Sequence, residues 1–198
     1  KFLNLYEARN RAISKSKGNY ICFLDTDDYW NRNKLKIQIN YIKKYKCKIL
    51  FSKFLILNQI KEKKYLNSKN KLISGLVTQN LLNEYSLGIL TTILSRSVFD
   101  KIRFNKRYNI IGDFDLFIKL STKFKIGSID KPLTFYRIHK SNFSNKRVDI
   151  HYNELKNWIN VNEKKLLKNK FKLGNVKILL VKLKIKSVFK SFKKYLNK

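Results

Sequence analysis

Tyr20-Ile21-Cys22-Phe23-Leu24-Asp25-Thr26-Asp27-Asp28-Tyr29-Trp30 is an apolar run that ends in three carboxylates. Gly18-Asn19 bounds the run upstream, and a continuous apolar segment between turn residues reads as a buried strand of a parallel sheet. The aspartates then fall at the strand's carboxyl end, where open α/β sheets gather their ligands. A second acidic stretch is Ile111-Gly112-Asp113-Phe114-Asp115-Leu116-Phe117, so two short segments hold five of the chain's eight aspartates. Carboxylates clustered where a strand or loop gives way to a helix hold a divalent cation through hard oxygens or act as a general base.

Outward from that run, Asn4 and Glu7 are spaced as a capping box. Leu5, Ala8, Ala12 and Ile13 recur behind them at helical spacing and predict a helix of about three turns. Asp28 is placed to cap a following helix whose Leu35, Ile39 and Ile42 face the core while its lysines stay in water. Residues 49–57 read as a strand, 61–71 as an exposed charged turn or hairpin, 77–85 as a short helix and 91–95 as a strand. Ser97 is placed to cap a brief helix ending near Ile102. Gly112 and the face Phe117, Leu120, Phe124 predict a helix that starts at Asp113. Pro132 leads into a strand over residues 133–139 that delivers Arg137 and His139 near its end, and residues 151–169 form a helix candidate.

From about Gly174 onward, Ile178, Leu179, Val181, Leu183, Ile185, Val188, Phe189, Phe192, Tyr195 and Leu196 are set among lysines. Such a segment is either a basic amphipathic helix on an anionic membrane surface or a terminal helix packed on its own domain. The organisation expected is one domain over residues 1–148 with a helical extension over 149–198. No internal repeat is visible.

Lysine and arginine total 45 against 13 acids in 198 residues, a formal charge of +32. That balance attracts polyanions or anionic headgroups, although abundant lysine, asparagine and isoleucine also fit a drift in composition. No helix-turn-helix, zinc finger or aromatic RNA-binding sheet is present, so nucleic acid is not an expected partner. Cys22 and Cys47 are too few and too far apart for a disulfide framework or a zinc knuckle. A reducing, cytoplasmic compartment fits, with possible peripheral attachment at the inner face of the membrane. No leader pattern opens the chain and no stretch reads as a membrane-spanning helix. The chain starts at Lys1 and contains no methionine, so we expect a further segment upstream.

Ala8-Arg9-Asn10, Lys17-Gly18-Asn19-Tyr20-Ile21, the acidic run through Trp30, then Lys34-Leu35 and Gln38, resemble in order and spacing the first half of a family 2 glycosyltransferase of the GT-A fold. Gly112-Asp113-Phe114-Asp115-Leu116 and Tyr136-Arg137-Ile138-His139 resemble the same family's base motif and closing strand. The resemblance covers about residues 4–145. It implies an α/β, Rossmann-like mixed sheet flanked by helices, N-terminally incomplete, with a basic helical tail that matches no motif.

The activity implied is inverting transfer of a sugar from a nucleotide-sugar donor to a cell-surface polysaccharide or lipid-linked glycan acceptor, with Mn²⁺ or Mg²⁺ bridging the donor diphosphate. By this resemblance Asp27 is the metal ligand, Asp25 contacts the ribose or the metal's waters, and Asp113 is the catalytic base. The family often shows Glu-Asp where this chain has Gly112-Asp113. A helix N-terminus at Asp113 would favour its charged form by about 0.3–1 kcal/mol. His139 offers a nitrogen to the metal or a proton to the diphosphate, and Arg137 or Lys140 offers positive charge. Ser141, Asn142 and Ser144 form a polar loop able to close over the donor. Arg9 either reaches the base or the phosphates, or pairs with Glu7 or Asp25. The nucleoside-binding strands of relatives have no counterpart after Lys1. The rival reading is a non-catalytic basic module that binds anionic membrane or polyanion.

Overall fold

The structure, a computed structural model, describes residues 3–142 and 147–196, with side chains described as far as residue 190. Its centre is β3 (Ile49–Asn58), whose apolar and β-branched residues suit a strand with neighbours on both edges. On one edge β3 pairs in parallel with β6 (Gly127–Ile138). On the other it pairs antiparallel with β5 (Ile93–Ser95) and, further along, with β4 (Lys63–Leu66). β1 (Tyr20–Ile21) extends the sheet beyond β5, and β2 (Tyr29–Trp30) extends it beyond β6. The result is the mixed sheet implied by the resemblance, with helices on its faces.

Strand β6 carries Pro132, which has no N–H to donate, and the β3–β6 register slips between Ser52 and Phe54 where Pro132 sits. Beyond that bulge the pairing resumes and runs to Asn58 opposite Ile138. The Tyr29 and Phe135 rings, opposite each other in β2 and β6, stack with centroids 4.5 Å apart.

Two expectations for the acidic run are corrected. The Tyr20–Leu24 segment is not a continuous buried parallel strand: only Tyr20–Ile21 pairs, antiparallel to β5, and Ile21 and Phe23 are buried between exposed Tyr20 and Leu24. Asp28 does not cap a helix either, because β2 and a turn intervene before α2 (Lys34–Tyr45), which starts from Asn33 with no side-chain cap. Downstream, Ser97 lies inside a 3-10 turn over Arg96–Phe99 rather than capping a helix.

The helix stripes are corrected as well. In α1 (Leu5–Lys15) Asn4 accepts the Glu7 N–H at 2.8 Å as the expected cap, but the buried residues are Tyr6, Arg9 and Ile13, while Leu5 is exposed. In α2 the buried residues are Lys34, Gln38 and Ile42, and Leu35 is exposed. Lys34 is therefore not in water. Its ammonium sits 4.1 Å from the Trp30 ring centroid and 3.4 Å from the Thr92 carbonyl, and burial pulls its pKa down to about 8.

The remaining helices are α3 (Thr78–Asn83), α4 (Gly112–Ser121), α5 (Val148–Lys168) and α6 (Gly174–Leu196). Leu155, Trp158, Ile159 and Leu166 of α5, with Val176 and Leu183 of α6, share one core with the sheet and α4. Glu154 accepts the N–H groups of Asn109, Ile110 and Ile111 at 2.6, 2.9 and 3.2 Å, which fixes the chain as it enters α4. At that entry α1 crosses α4 so closely that a Cβ on Gly112 would lie 2.5–2.6 Å from ring carbons of Tyr6.

Tyr6 is itself buried and cannot swing away. Gly112→Ala is therefore predicted to destabilise the fold by about 1–3 kcal/mol, through overpacking. The urea unfolding midpoint measures it; an unchanged midpoint would show that the α1–α4 contact yields freely.

Candidate active site

The turn after β1 closes through the Asp28 N–H donating to the Asp25 carbonyl at 3.1 Å, which presents Thr26 and Asp27 at its corner. The end of β6 lies directly over this turn. The Arg137 N–H donates to an Asp28 carboxylate oxygen at 2.9 Å, and the Arg137 guanidinium donates to the Asp27 carbonyl. Burial pushes the Asp28 carboxyl up to about 6, against the pull of the Arg137 N–H and with Asp27 and Asp25 pushing the same way. Asp28 thus holds the turn against β6.

His139 Nε2 sits 2.9 Å from Asp27 Oδ2. The Ser141 N–H donates to His139 Nδ1 at 3.2 Å, and Nε2 meets both the Asp27 carboxylate and, at 3.1 Å, the Asn142 side-chain nitrogen. The Asn142 side-chain amide donates to the same Asp27 oxygen at 3.2 Å, and its carbonyl accepts the His139 N–H at 2.7 Å. Asp27, Arg137, His139 and Asn142 therefore form one polar cluster. Lys140 is exposed at its margin, and Ser144 lies outside the described residues.

Arg9 is buried in α1 and pairs with Asp25 across 2.6 Å. Its guanidinium lies 5.5, 5.8 and 5.9 Å from the ring centroids of Tyr6, Phe23 and Phe104. Of the roles open to Arg9 in the sequence, this geometry realises the pairing with Asp25.

Asp113 stands in the first turn of α4, where one carboxylate oxygen accepts the Phe114 N–H at 2.8 Å and the Tyr6 hydroxyl approaches it at 3.5 Å. Tyr6 gives its stronger bond, 2.7 Å, to the Ile110 carbonyl. Desolvation dominates the Asp113 carboxyl and raises its pKa, with the Phe114 N–H and Arg9 pulling the other way and Asp25 adding to the rise. The helix terminus alone would have predicted a more acidic group. Asp115 faces away from this carboxyl: it is buried, accepts the Trp158 indole N–H at 3.0 Å and pairs with Lys119 at 2.6 Å.

A mainly apolar cavity of about 420 Å³ opens beside Asp113, between α3, α4, α5 and α6, lined in part by Tyr85, Phe114, His151 and Leu179. The Tyr85 hydroxyl is buried there without a hydrogen-bond partner, its pKa raised by burial and then by Asp113. Asp27 does not line this cavity. What connects the two acidic corners is Arg9 with Asp25: both act electrostatically on Asp113, and Asp25 acts also on Asp28.

Tyr6 and Tyr85 were not singled out in the sequence. Tyr6 lies one helical turn before Arg9, and that i, i+3 spacing was the available signal; Tyr85 offered none. Among the described residues no group of three or more His, Cys, Asp or Glu side chains is arranged to hold a metal, and no helix is long and apolar enough to cross a membrane.

The chain is 31% identical over 148 residues to the amylovoran biosynthesis glycosyltransferase AmsB of Erwinia amylovora, covering 69% of this chain and 48% of that protein. It is 32% identical over 136 residues to a glycosyltransferase of Rickettsia bellii, covering 68% of this chain and 19% of that one. The chain thus spans half or less of the length of these relatives. The fold is similar to that of S. aureus TarS 1–349, with a TM-score of 0.57 and 17% identity over 79% of this chain and 45% of TarS 1–349. The sequence profile of Glycosyl transferase family 2 matches residues 2–121, and the chain belongs to that family.

Proposed function

We propose that this chain carries the metal pole and the base of an inverting glycosyltransferase, which moves a sugar from a nucleotide donor to a polysaccharide or lipid-linked glycan acceptor in cell-envelope synthesis. The observation that carries the reading is the Arg9–Asp25 pair, which joins the Asp27 turn to the surroundings of Asp113. Family membership supports it. So do the solved complex of TarS with UDP-GlcNAc and the relative WfgD of Escherichia coli, 29% identical over 103 residues, covering 49% of this chain and 37% of WfgD. WfgD is named as a glucosyltransferase acting on α-D-GlcNAc-diphosphoundecaprenol.

In this reading the acceptor hydroxyl oxygen attacks the anomeric carbon, its proton passes to Asp113, and the bond to the diphosphate oxygen breaks with the electron pair leaving on the nucleoside diphosphate. The raised basicity of Asp113 suits a proton acceptor. Asp27, half-buried at the corner of its turn, fits a hard cation that takes one or two carboxylates and fills its remaining positions with diphosphate oxygens and water. A bound Mn²⁺ or Mg²⁺ would neutralise the leaving diphosphate. His139 Nε2, 2.9 Å from Asp27 Oδ2, is placed either to donate a proton to the diphosphate or to join Asp27 on the cation. Arg137 holds the Asp27 carbonyl and adds positive charge to the same pole. Asp25 keeps a role toward the ribose or the metal's waters through its outer oxygen, and Arg9 orients Asp25. The thiols of Cys22 and Cys47 suit a reducing compartment, and we place the reaction on the cytoplasmic side.

Titration of the protein with a panel of sugar nucleotides, with and without Mn²⁺, tests the metal pole. Asp27→Ala should abolish metal-dependent donor binding, and retained binding removes its role. Asp113→Asn should leave donor binding intact and lower transfer by about 10²–10⁴-fold. Tyr85→Phe removes a hydroxyl that is buried without a partner, so the urea midpoint should stay level or rise.

The pH profile is a separate test. A base works deprotonated, so activity should rise with pH through a limb lying above the ordinary carboxylate range. Arg9→Gln, which removes a charge that favours ionised Asp113, should move the limb further toward alkaline pH. A limb at the ordinary carboxylate value in both proteins would assign the proton elsewhere.

A further inference from the structure

Helix α6 has two apolar stripes, and the fold uses only one. Val176, Leu180 and Leu183 face inward, and Val176 and Leu183 are buried in the core. On the opposite side Ile178, Val181, Ile185, Val188 and Phe189 recur at i, i+3, i+7, i+10 and i+11, and each is more than half exposed. Lys182 and Lys186 run along one flank of this outer stripe, and Lys177 and Lys184 along the other. Lys177 is paired with Glu163 of α5 at 2.5 Å. The helix is held firmly from behind. The Gln79 side chain bonds to both the carbonyl and the N–H of Lys172, and the Asn175 amide donates to the Asn83 carbonyl at 2.9 Å.

A stripe of branched and aromatic side chains bordered on both sides by lysines matches a bilayer interface, with the apolar groups among acyl chains and the ammonium groups among phosphates. A second copy of this chain is a poor partner, because it would bring the same lysines and another +32 of charge. The helix does not enter as a span, since no helix among the described residues is long and apolar enough to cross a membrane. We infer that the outer face of α6 docks flat on an anionic lipid surface. At about 1.5 Å per residue the helix lies along roughly 35 Å of that surface. The same helix contributes Asn175, Val176 and Leu179 to the cavity beside Asp113. Docking therefore brings the bilayer to the far side of the helix that walls the candidate base's cavity, one helix diameter of roughly 10 Å away, on the side from which a lipid-linked acceptor would come; that link to the acceptor rests on the proposed function, whereas the docking itself does not.

The test is flotation of the purified protein with vesicles of phosphatidylcholine alone or mixed with phosphatidylglycerol, with heparin binding run in parallel. Binding should require phosphatidylglycerol and weaken with salt. Ile185→Asp should lower vesicle affinity by at least about tenfold, and Lys186→Ala by about fivefold. Both side chains are exposed, so helicity and the urea midpoint should stay unchanged. Ile185→Asp should retain heparin binding, because a polyanion does not read the apolar stripe. Equal binding of Ile185→Asp and the parent to anionic vesicles overturns the inference. So does equal binding to neutral vesicles, or a dimer in solution that Ile185→Asp dissolves. Sugar-nucleotide binding without vesicles reports on the transferase site independently: its loss alongside intact flotation would sink the proposed function and leave this surface standing.

Discussion

A guanidinium buried among aromatic rings demands a carboxylate, and that demand organises the molecule. Arg9 lies against Tyr6, Phe23 and Phe104, where an unpaired charge would cost several kcal/mol. Asp25 answers it at 2.6 Å, and in doing so fixes the acidic turn to α1. Through Tyr6 and the bare α-carbon of Gly112, α1 is fixed in turn to the start of α4. The two acidic corners are thus tied by an ion pair and a helix crossing, not by direct neighbourhood in the sheet.

The cationic pole is built by strand pairing. Pro132 breaks the β3–β6 ladder, and the bulge it imposes lets the second half of β6 serve two neighbours, β3 and the two-residue β2. With Tyr29 stacked on Phe135, the end of β6 is set over the turn that holds Asp27. Arg137 and His139, two residues apart, both project onto that turn, one to its carbonyl and one to its carboxylate.

Much of this was legible in the sequence. The order of most elements was, because they carried a cap, a periodicity or a turn signal. The Asn4 cap, the β3–β4 hairpin and the start of α4 are examples. Strand β2 was not, because Asp28 reads as a helix cap and two residues make no alternating pattern. The buried faces of α1 and α2 were not, because an apolar count treats Arg9, Lys34 and Gln38 as solvent-facing. Each meets a group that no local window contains: Asp25 for Arg9, the Thr92 carbonyl for Lys34, and for the Gln38 amide N–H the Thr91 carbonyl at 2.8 Å, the Gln38 amide oxygen being left without a partner. In the candidate site, Asp27, Asp113 and His139 could be picked out because their residue types and spacing resemble a family pattern. Tyr85 could not, since its significance lies in a hydroxyl left without a partner beside Asp113. The basicity of Asp113 was misjudged for a related reason: the helix terminus is visible in sequence, and the burial that outweighs it is not.

Asp115 lies two residues beyond Asp113 on the same helical turn, and its buried carboxylate is satisfied by an indole belonging to α5. Any shortened version of the polypeptide that stops ahead of Trp158 would strip that acid of its indole donor and open a hole in the wall behind it. Residues far from the candidate base thereby form part of its setting, and trimming the C-terminal helices would be felt first in the packing behind α4.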